Sequence, residues 1–135
     1  LTDAGPLVAI LDRDEQDHAT CVAALSSLRG PMLTTWPAFT EAMYLLGRGG
    51  WRAQGLLWRL VLGGHLELSE PSETSIDRMA SLMEQYKDHP MDLADASLVA
   101  LAETRGLRQV FTLDRDDFQT YRLHGRQRFQ LIPTP

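Results

Sequence analysis

Apolar positions along the chain follow two rhythms. Short runs rich in alternating or β-branched residues are separated by longer stretches in which apolar residues fall three and four apart. Met32-Leu33-Thr34-Thr35, His65-Leu66-Glu67-Leu68-Ser69, Gln109-Val110-Phe111-Thr112-Leu113 and Phe129-Gln130-Leu131-Ile132 read as strands. Leu1-Thr2-Asp3-Ala4 reads as the end of another, turning through Gly5-Pro6 into a helix carried by Leu7, Val8, Ile10 and Leu11, with Pro6 at the first helical position. Further helices are expected over roughly His18 to Leu28, over Ala38 to Leu46 after a break at Trp36-Pro37, and over Trp51 to Leu62. A long amphipathic helix opens at Pro71-Ser72-Glu73 and runs through Tyr86, and Met91 to Ala102 is closed by Thr104-Arg105-Gly106. Gly47 to Gly50 and Lys87-Asp88-His89-Pro90 are loops, and Tyr121-Arg122-Leu123 leads through His124-Gly125-Arg126 to the last strand. Helices alternating with short strands indicate an α/β fold with a mainly parallel sheet, in which ligands sit at the carboxyl ends of the strands.

The helix from Met91 breaks the pattern in an informative way. Leu, Ala and Val dominate it, so it should be buried, yet Asp92 and Asp95 stand three apart in its first turn and near one face. Helix capping explains both, since acids are favoured at the positive end of a helix. A cleft at the edge of the core explains them as well. The other acids fall in comparable places. Asp3 and Asp114 follow strands, Asp114 leading Arg115-Asp116-Asp117, where the second and third acids read as caps of a helical turn. Glu41 sits among Phe39, Ala42, Tyr44, Leu45 and Leu46, either as that helix's one exposed acid or facing a cleft. Asp12, Asp14, Glu15 and Asp17 read as a solvated connection, with His18 at the surface.

Composition narrows the field. The chain has 135 residues, enough for one domain with a sizeable core, and its 44% apolar and 23% charged content is that of a soluble globular protein. Leu56 to Leu62 is interrupted by Arg59, so no apolar run is long enough to span a bilayer. No basic-then-apolar signal segment opens the chain, which begins without Met, so its natural start is expected upstream. Cys21, the single cysteine, reads as a small buried filler, and a reduced, cytoplasmic setting fits it. Trp51 and Trp58, seven apart, read as core or dimer contact, and Met79 and Met83 as core. The net charge of −5 argues against an indiscriminate nucleic-acid binder, although twelve of the basic residues are arginine. Arg48, Arg52, Arg105 and Arg115 are candidate phosphate contacts or plain solvated side chains.

Asp3, Glu41, Asp92, Asp95 and Asp114 fall where one edge of such a sheet would gather four or five carboxylates. Carboxylates packed together repel, and burial makes this worse. A divalent cation removes the conflict, and carboxylates with water suit Mg²⁺ or Mn²⁺. The chain offers no His/Cys cluster for zinc, no Ser/His/Asp arrangement, and no phosphate-cradling glycine motif. An acid-only site of this kind is apparatus for phosphodiester cleavage.

Leu1-Thr2-Asp3-Ala4-Gly5-Pro6-Leu7, Thr40-Glu41-Ala42, Asp92-Leu93-Ala94-Asp95-Ala96 and Thr112-Leu113-Asp114-Arg115-Asp116-Asp117-Phe118 resemble, in that order, the PIN-domain family, in particular its VapC-type toxin ribonucleases. The resemblance covers nearly the whole chain. It implies a three-layer α/β/α fold around a twisted parallel sheet of about four to five strands, and Asp3, Glu41, Asp95 and Asp114 as metal-binding acids. It implies Asp92 as auxiliary acid or cap, Thr112 as a residue that helps place the site, and Mg²⁺ or Mn²⁺ as cofactor. Single-stranded RNA as substrate, a homodimer, and an antitoxin that blocks the cleft follow from the same resemblance. The family often has Ser or Thr directly after its first acid; Ala4-Gly5 stands there, so a hydroxyl that would hold Asp3 or its water is missing. A non-catalytic module that binds RNA or a protein is the alternative. A phosphatase of the HAD type would want a second acid at Gly5, and a receiver domain a late lysine, whereas Lys87 is the only lysine.

Overall fold

The computed structural model describes residues 1–134, and its sheet is organised around the first three of them. Thr2 N donates to Leu33 O at 2.7 Å on one side. On the other, Phe111 N donates to Leu1 O at 2.7 Å and Asp3 N to Phe111 O at 2.9 Å, in a parallel bridge. Outside these lie two parallel ladders. Strand β1 (Met32–Thr35) pairs with β2 (Leu66–Ser69), Met32 opposite Leu66. Strand β3 (Gln109–Phe111) pairs with β6 (Gln130–Ile132), Gln109 opposite Gln130. The resulting order is β2, β1, residues 1–3, β3, β6, five extended segments side by side, as expected of a mainly parallel α/β sheet.

Helices cover both faces. Helices α1 (Ala4–Leu11), α2 (His18–Ser27), α3 (Trp36–Leu46) and α4 (Gly50–Leu62) pack in one apolar cluster with Met32, Leu66 and Phe111. Helices α5 (Glu73–Gln85), α6 (Leu93–Arg105) and α7 (Arg115–Thr120) pack in a second with Val110 and Phe129. Val110 and Phe111, adjacent in β3, thus serve opposite layers, as the two-residue period of a strand requires. Helix α6 is buried from Ala94 through Ala102, with Leu98 and Val99 fully inaccessible. Its small residues let α3 and α5 approach, and Gly106 ends it at φ 66°. Leu98→Ala is expected to cost about 3 kcal/mol by cavity formation, read as an earlier midpoint in urea unfolding.

Several boundaries differ from those expected, for identifiable reasons. Helix α1 starts at Ala4, because the Asp3 carboxylate caps it at the Ala4 N–H, so Pro6 lies inside the first turn rather than at its first position. Helix α3 starts at Trp36, with Thr35 as cap, and Pro37 is part of its first turn rather than a break. Gly47–Gly49 is a 3₁₀ turn rather than open loop. Strand β3 stops at Phe111, because Thr112 turns its side chain to the site described below. A short antiparallel hairpin, β4 (Arg122–Leu123) with β5 (Gln127–Arg128), occupies the stretch read as a link. Cys21 is buried, as expected, whereas Trp51 is 72% exposed and Trp58 only half-buried against Phe39. Met79 packs at the edge of the core, and Met83 faces out. His18 is half-buried rather than free at the surface, its Nδ1 2.7 Å from Ala9 O. Among the described residues no helix is long and apolar enough to cross a membrane.

Candidate active site

The carboxyl ends of the central segments meet the start of α6. Asp3 ends the first segment and is 3% exposed. Its Oδ1 accepts the Ala4 N–H at 2.8 Å, and its Oδ2 accepts the Thr112 hydroxyl at 2.9 Å. The Thr112 oxygen in turn accepts the Asp114 N–H at 3.0 Å. One buried hydroxyl therefore ties together the acids that follow the two adjacent segments. Burial pushes the Asp3 carboxyl up to about 7; the two hydrogen bonds pull it down, while the charges of Asp114 and Glu41 add to the rise.

Asp92 caps α6: its Oδ1 accepts the Asp95 N–H at 2.8 Å. Asp95 itself turns inward and is 6% exposed. Tyr121, fully buried, donates its hydroxyl to Asp95 Oδ2 at 2.8 Å. Burial pushes the Asp95 carboxyl up to about 8, against the Tyr121 hydrogen bond, with Asp92, Asp3 and Asp117 adding repulsion. Burial followed by the Asp92 and Asp114 charges raises Glu41 on α3. Glu41 is an exposed residue, and its charge is felt by Asp3. Asp114 is raised by burial, then by the Asp117 charge and, less, by that of Asp92. An open groove of about 450 Å³ runs along Leu113, Asp114, Arg115, Asp116 and Asp117.

The structure therefore brings Asp3, Glu41, Asp95 and Asp114 into one electrostatic field, with Asp92 and Asp117 at its margin. It does not close them into a cage: among the described residues no three His, Cys, Asp or Glu side chains stand close enough to hold a metal ion between them. Repulsion between unneutralised carboxylates favours such spacing. The donor set still fits Mg²⁺ or Mn²⁺, which commonly take one or two carboxylates directly and reach others through retained waters. Two deeply buried carboxyls held near or above neutral pKa are groups that a cation would ionise. A cavity of about 200 Å³ beside α6, lined by Thr35, Ser97, Leu101 and Arg105 among others, contains none of these acids.

Three supports of the site were not foreseen. Tyr121 lies in a stretch that read as a connection, and no spacing rule points to it. Asp117 read as a helix-turn acid; its charge reaches Asp95, Asp114 and Tyr121, and His89 Nε2 lies 2.9 Å from its Oδ1. Thr35 and Ser97, whose hydroxyls are 2.6 Å apart, tie the start of α3, which carries Glu41, to α6, which carries Asp95. Ser97 did leave a sequence signal, as a lone hydroxyl in a run of Ala, Leu and Val. Of the arginines, Arg48, Arg52 and Arg105 are exposed, and Arg115 instead turns inward, its Nη1 donating to Pro133 O at 2.6 Å.

A parallel sheet with acids at its carboxyl edge and a buried acid-bearing helix defines a class, and comparison with known proteins agrees. The family model described as the PIN domain matches residues 1–123, so the chain belongs to the PIN-domain family. It is 31% identical over 134 residues to Ribonuclease VapC26 of Mycobacterium tuberculosis (strain ATCC 25618 / H37Rv), covering 98% of this chain and 99% of the relative. Among solved structures it resembles Mycobacterium tuberculosis VapC20, described as a Sarcin-Ricin loop cleaving toxin. The TM-score is 0.79 at 16% identity, over 85% of this chain and 89% of that one. A toxin–antitoxin complex from Klebsiella pneumoniae contains a similar chain, with a TM-score of 0.66 at 20% identity, over 88% of this chain and 89% of that one.

Proposed function

We propose that the protein is a Mg²⁺- or Mn²⁺-dependent endoribonuclease that cleaves single-stranded RNA, and that it is the toxin of a toxin–antitoxin pair. The observation that carries this reading is the pair of buried, mutually repelling carboxyls, Asp3 and Asp95, at the carboxyl edge of the sheet. Asp3, Glu41, Asp95 and Asp114 would hold the cation, with Asp92 and Thr112 as auxiliaries. The bound ion would supply a water of lowered pKa and offset charge on the phosphate. Thr112 keeps Asp3 and Asp114 in register, and Tyr121 fixes the Asp95 rotamer, so the acids are placed before substrate arrives. Glu41 and Asp114, the two exposed acids of the four, stand where a phosphate and its water would enter.

The name of the mycobacterial relative and the toxin–antitoxin neighbours support the RNA substrate and the antitoxin partner. A homodimer belongs to the same reading, and light scattering on the purified chain tests it. The decisive experiment is incubation with single-stranded RNA in Mg²⁺, in EDTA, and in EDTA followed by excess Mn²⁺. Cleavage should stop and return. Cleavage that ignores EDTA would overturn the mechanism, and binding without cleavage in either metal would return the non-catalytic alternative.

Tyr121→Phe is expected to slow cleavage by roughly tenfold while costing about 1 kcal/mol of stability, because Asp95 Oδ2 loses its donor. Single-turnover rates at saturating metal, set beside urea unfolding, separate the two effects.

A further inference from the structure

The β4–β5 hairpin carries an arrangement that folding alone does not favour. Arg122 and Arg128 are directly opposite each other in the antiparallel pair, and like charges in that position are destabilising. The turn between them is tight: Arg126 N donates to Leu123 O at 3.0 Å, with His124 at φ 51° and Gly125 at φ 72°. Buried Leu123 and Phe129 anchor the hairpin, and the Glu103 carboxylate accepts the His124 N–H, pinning its tip to the last turn of α6. Arg108, entering β3, reaches across so that its Nη2 lies 3.4 Å from Arg128 O.

The stretches on either side of Asp114-Arg115-Asp116-Asp117, Thr104–Leu113 and Phe118–Thr134, contain five arginines and no Asp or Glu, in a chain whose net charge is −5. The nearby Glu103 is already committed, as a two-point ion pair with Arg78 at 2.7 and 3.0 Å. Two of the five have local tasks. Arg122 donates to the last carbonyls around α7 (Gln119, Thr120 and Tyr121), and Arg105 sits in the last turn of α6. Arg108, Arg126 and Arg128 are exposed and form no ion pair among the described residues. A rigid element that concentrates unpaired like charges breaks a local rule, and such breaks mark function.

We propose that Arg108, Arg126 and Arg128 form a second binding site for the phosphate backbone of single-stranded RNA, separate from the acids. Arg128 ends β5, Arg126 lies in the turn just before that strand, and Arg108 Nη2 meets the Arg128 backbone, so three guanidinium-bearing positions fall on the hairpin and the chain beside it. Glu103, which holds the hairpin tip, lies eight residues beyond Asp95 along α6, about 12 Å, so the hairpin stands towards the far end of that helix from the acids. An acidic protein segment would meet the same charge, but a cluster made only of arginines suits a polyphosphate better, since each guanidinium can grip a phosphate at two points. The inference deepens the ribonuclease reading by naming where the substrate is held, but its test does not need cleavage.

The test is fluorescence anisotropy of labelled polyuridine with the EDTA-treated full chain, across a salt series. The double variant Arg126→Glu with Arg128→Glu should raise Kd at least about tenfold and flatten the salt slope by about 1.4, two phosphates' worth. Arg126→Gln with Arg128→Gln should do the same more weakly, and far-UV circular dichroism should match wild type for both. Arg13→Glu with Arg29→Glu, exposed positions elsewhere, controls for net charge. Unchanged affinity and slope in the hairpin variant, or an equal loss in the control, overturns the proposal. So does polyglutamate binding tighter than RNA and lost in the hairpin variant. If wild type binds as expected but cleaves nothing in Mg²⁺ or Mn²⁺, the second site stands and the nuclease reading falls.

Discussion

Asp95→Asn is expected to lower the RNA cleavage rate by at least about a thousandfold while making the metal-free protein more stable at pH 8. The two effects share one cause. Asp95 is nearly inaccessible, and burial together with the Asp92, Asp3 and Asp117 charges disfavours its ionised form. Asn has the same shape and no charge, and its Oδ1 can still accept the Tyr121 hydroxyl now held by Asp95 Oδ2. Stability should rise by about 1–3 kcal/mol, a shift of several degrees in Tm, because one ionisable group leaves a repelling cluster. Activity should vanish because an uncharged amide can neither hold a divalent ion tightly nor help it ionise water. Replacing a residue that were only structural would lower stability and leave cleavage by the folded protein intact. Loss of stability with retained cleavage would show that Asp95 is a buried packing acid, and would remove it from the proposed site. Asp3→Asn should behave alike, since its Oδ1 can keep the Ala4 cap while its amide faces the Thr112 hydroxyl.

How much of this was legible in the sequence depends on whether local rules or distant partners decide. Met32–Thr35 was readable to the residue because a short β-branched run between Pro31 and Trp36-Pro37 has little alternative. The burial of α6 was readable from its composition. Asp3, Glu41 and Asp114 could be placed near strand ends and helix starts by periodicity, but their mutual proximity depended on topology, which the order of elements supplied only through the parallel-sheet rule. Proline misled twice. Pro6 and Pro37 sit within the first turn of a helix, where a missing N–H costs little, and side-chain caps at Asp3 and Thr35 move the starts earlier. The β4–β5 hairpin escaped because two-residue strands have no measurable alternation. Tyr121 escaped because its partner is 26 positions away. Met83 was assigned inward on hydrophobicity alone, which says which residues can be buried and not which are.

Stripped of divalent ions, the protein should be more stable at pH 5 than at pH 8, the reverse of the usual effect of carboxylates. Asp3 and Asp95 have ordinary values near 3.8 and folded values of about 7 and about 8. The native state therefore keeps protons that the unfolded chain releases. Stability falls with pH wherever the native state binds more protons. The contribution is complete below about pH 4 and is lost as pH rises towards 7 and 8. Each proton is worth at most about 1.4 kcal/mol per pH unit within its window. Allowing for relaxation of the site, a net loss of roughly 2–4 kcal/mol between pH 5 and pH 8 is expected. Other shifted groups do not reverse this. Glu103, lowered by the Arg78 ion pair despite its burial, titrates below the window, and Tyr121, raised by burial and by Asp95, titrates above it. Mg²⁺ or Mn²⁺ should restore stability at pH 8 and do much less at pH 5, where protons occupy the carboxyls that the ion needs. Urea unfolding at both pH values, with EDTA and with excess Mg²⁺, gives the four numbers. A metal-free protein that gains stability from pH 5 to pH 8, or a metal effect equal at both, would mean that Asp3 and Asp95 ionise freely. The repulsion from which a cation site was argued would then be absent.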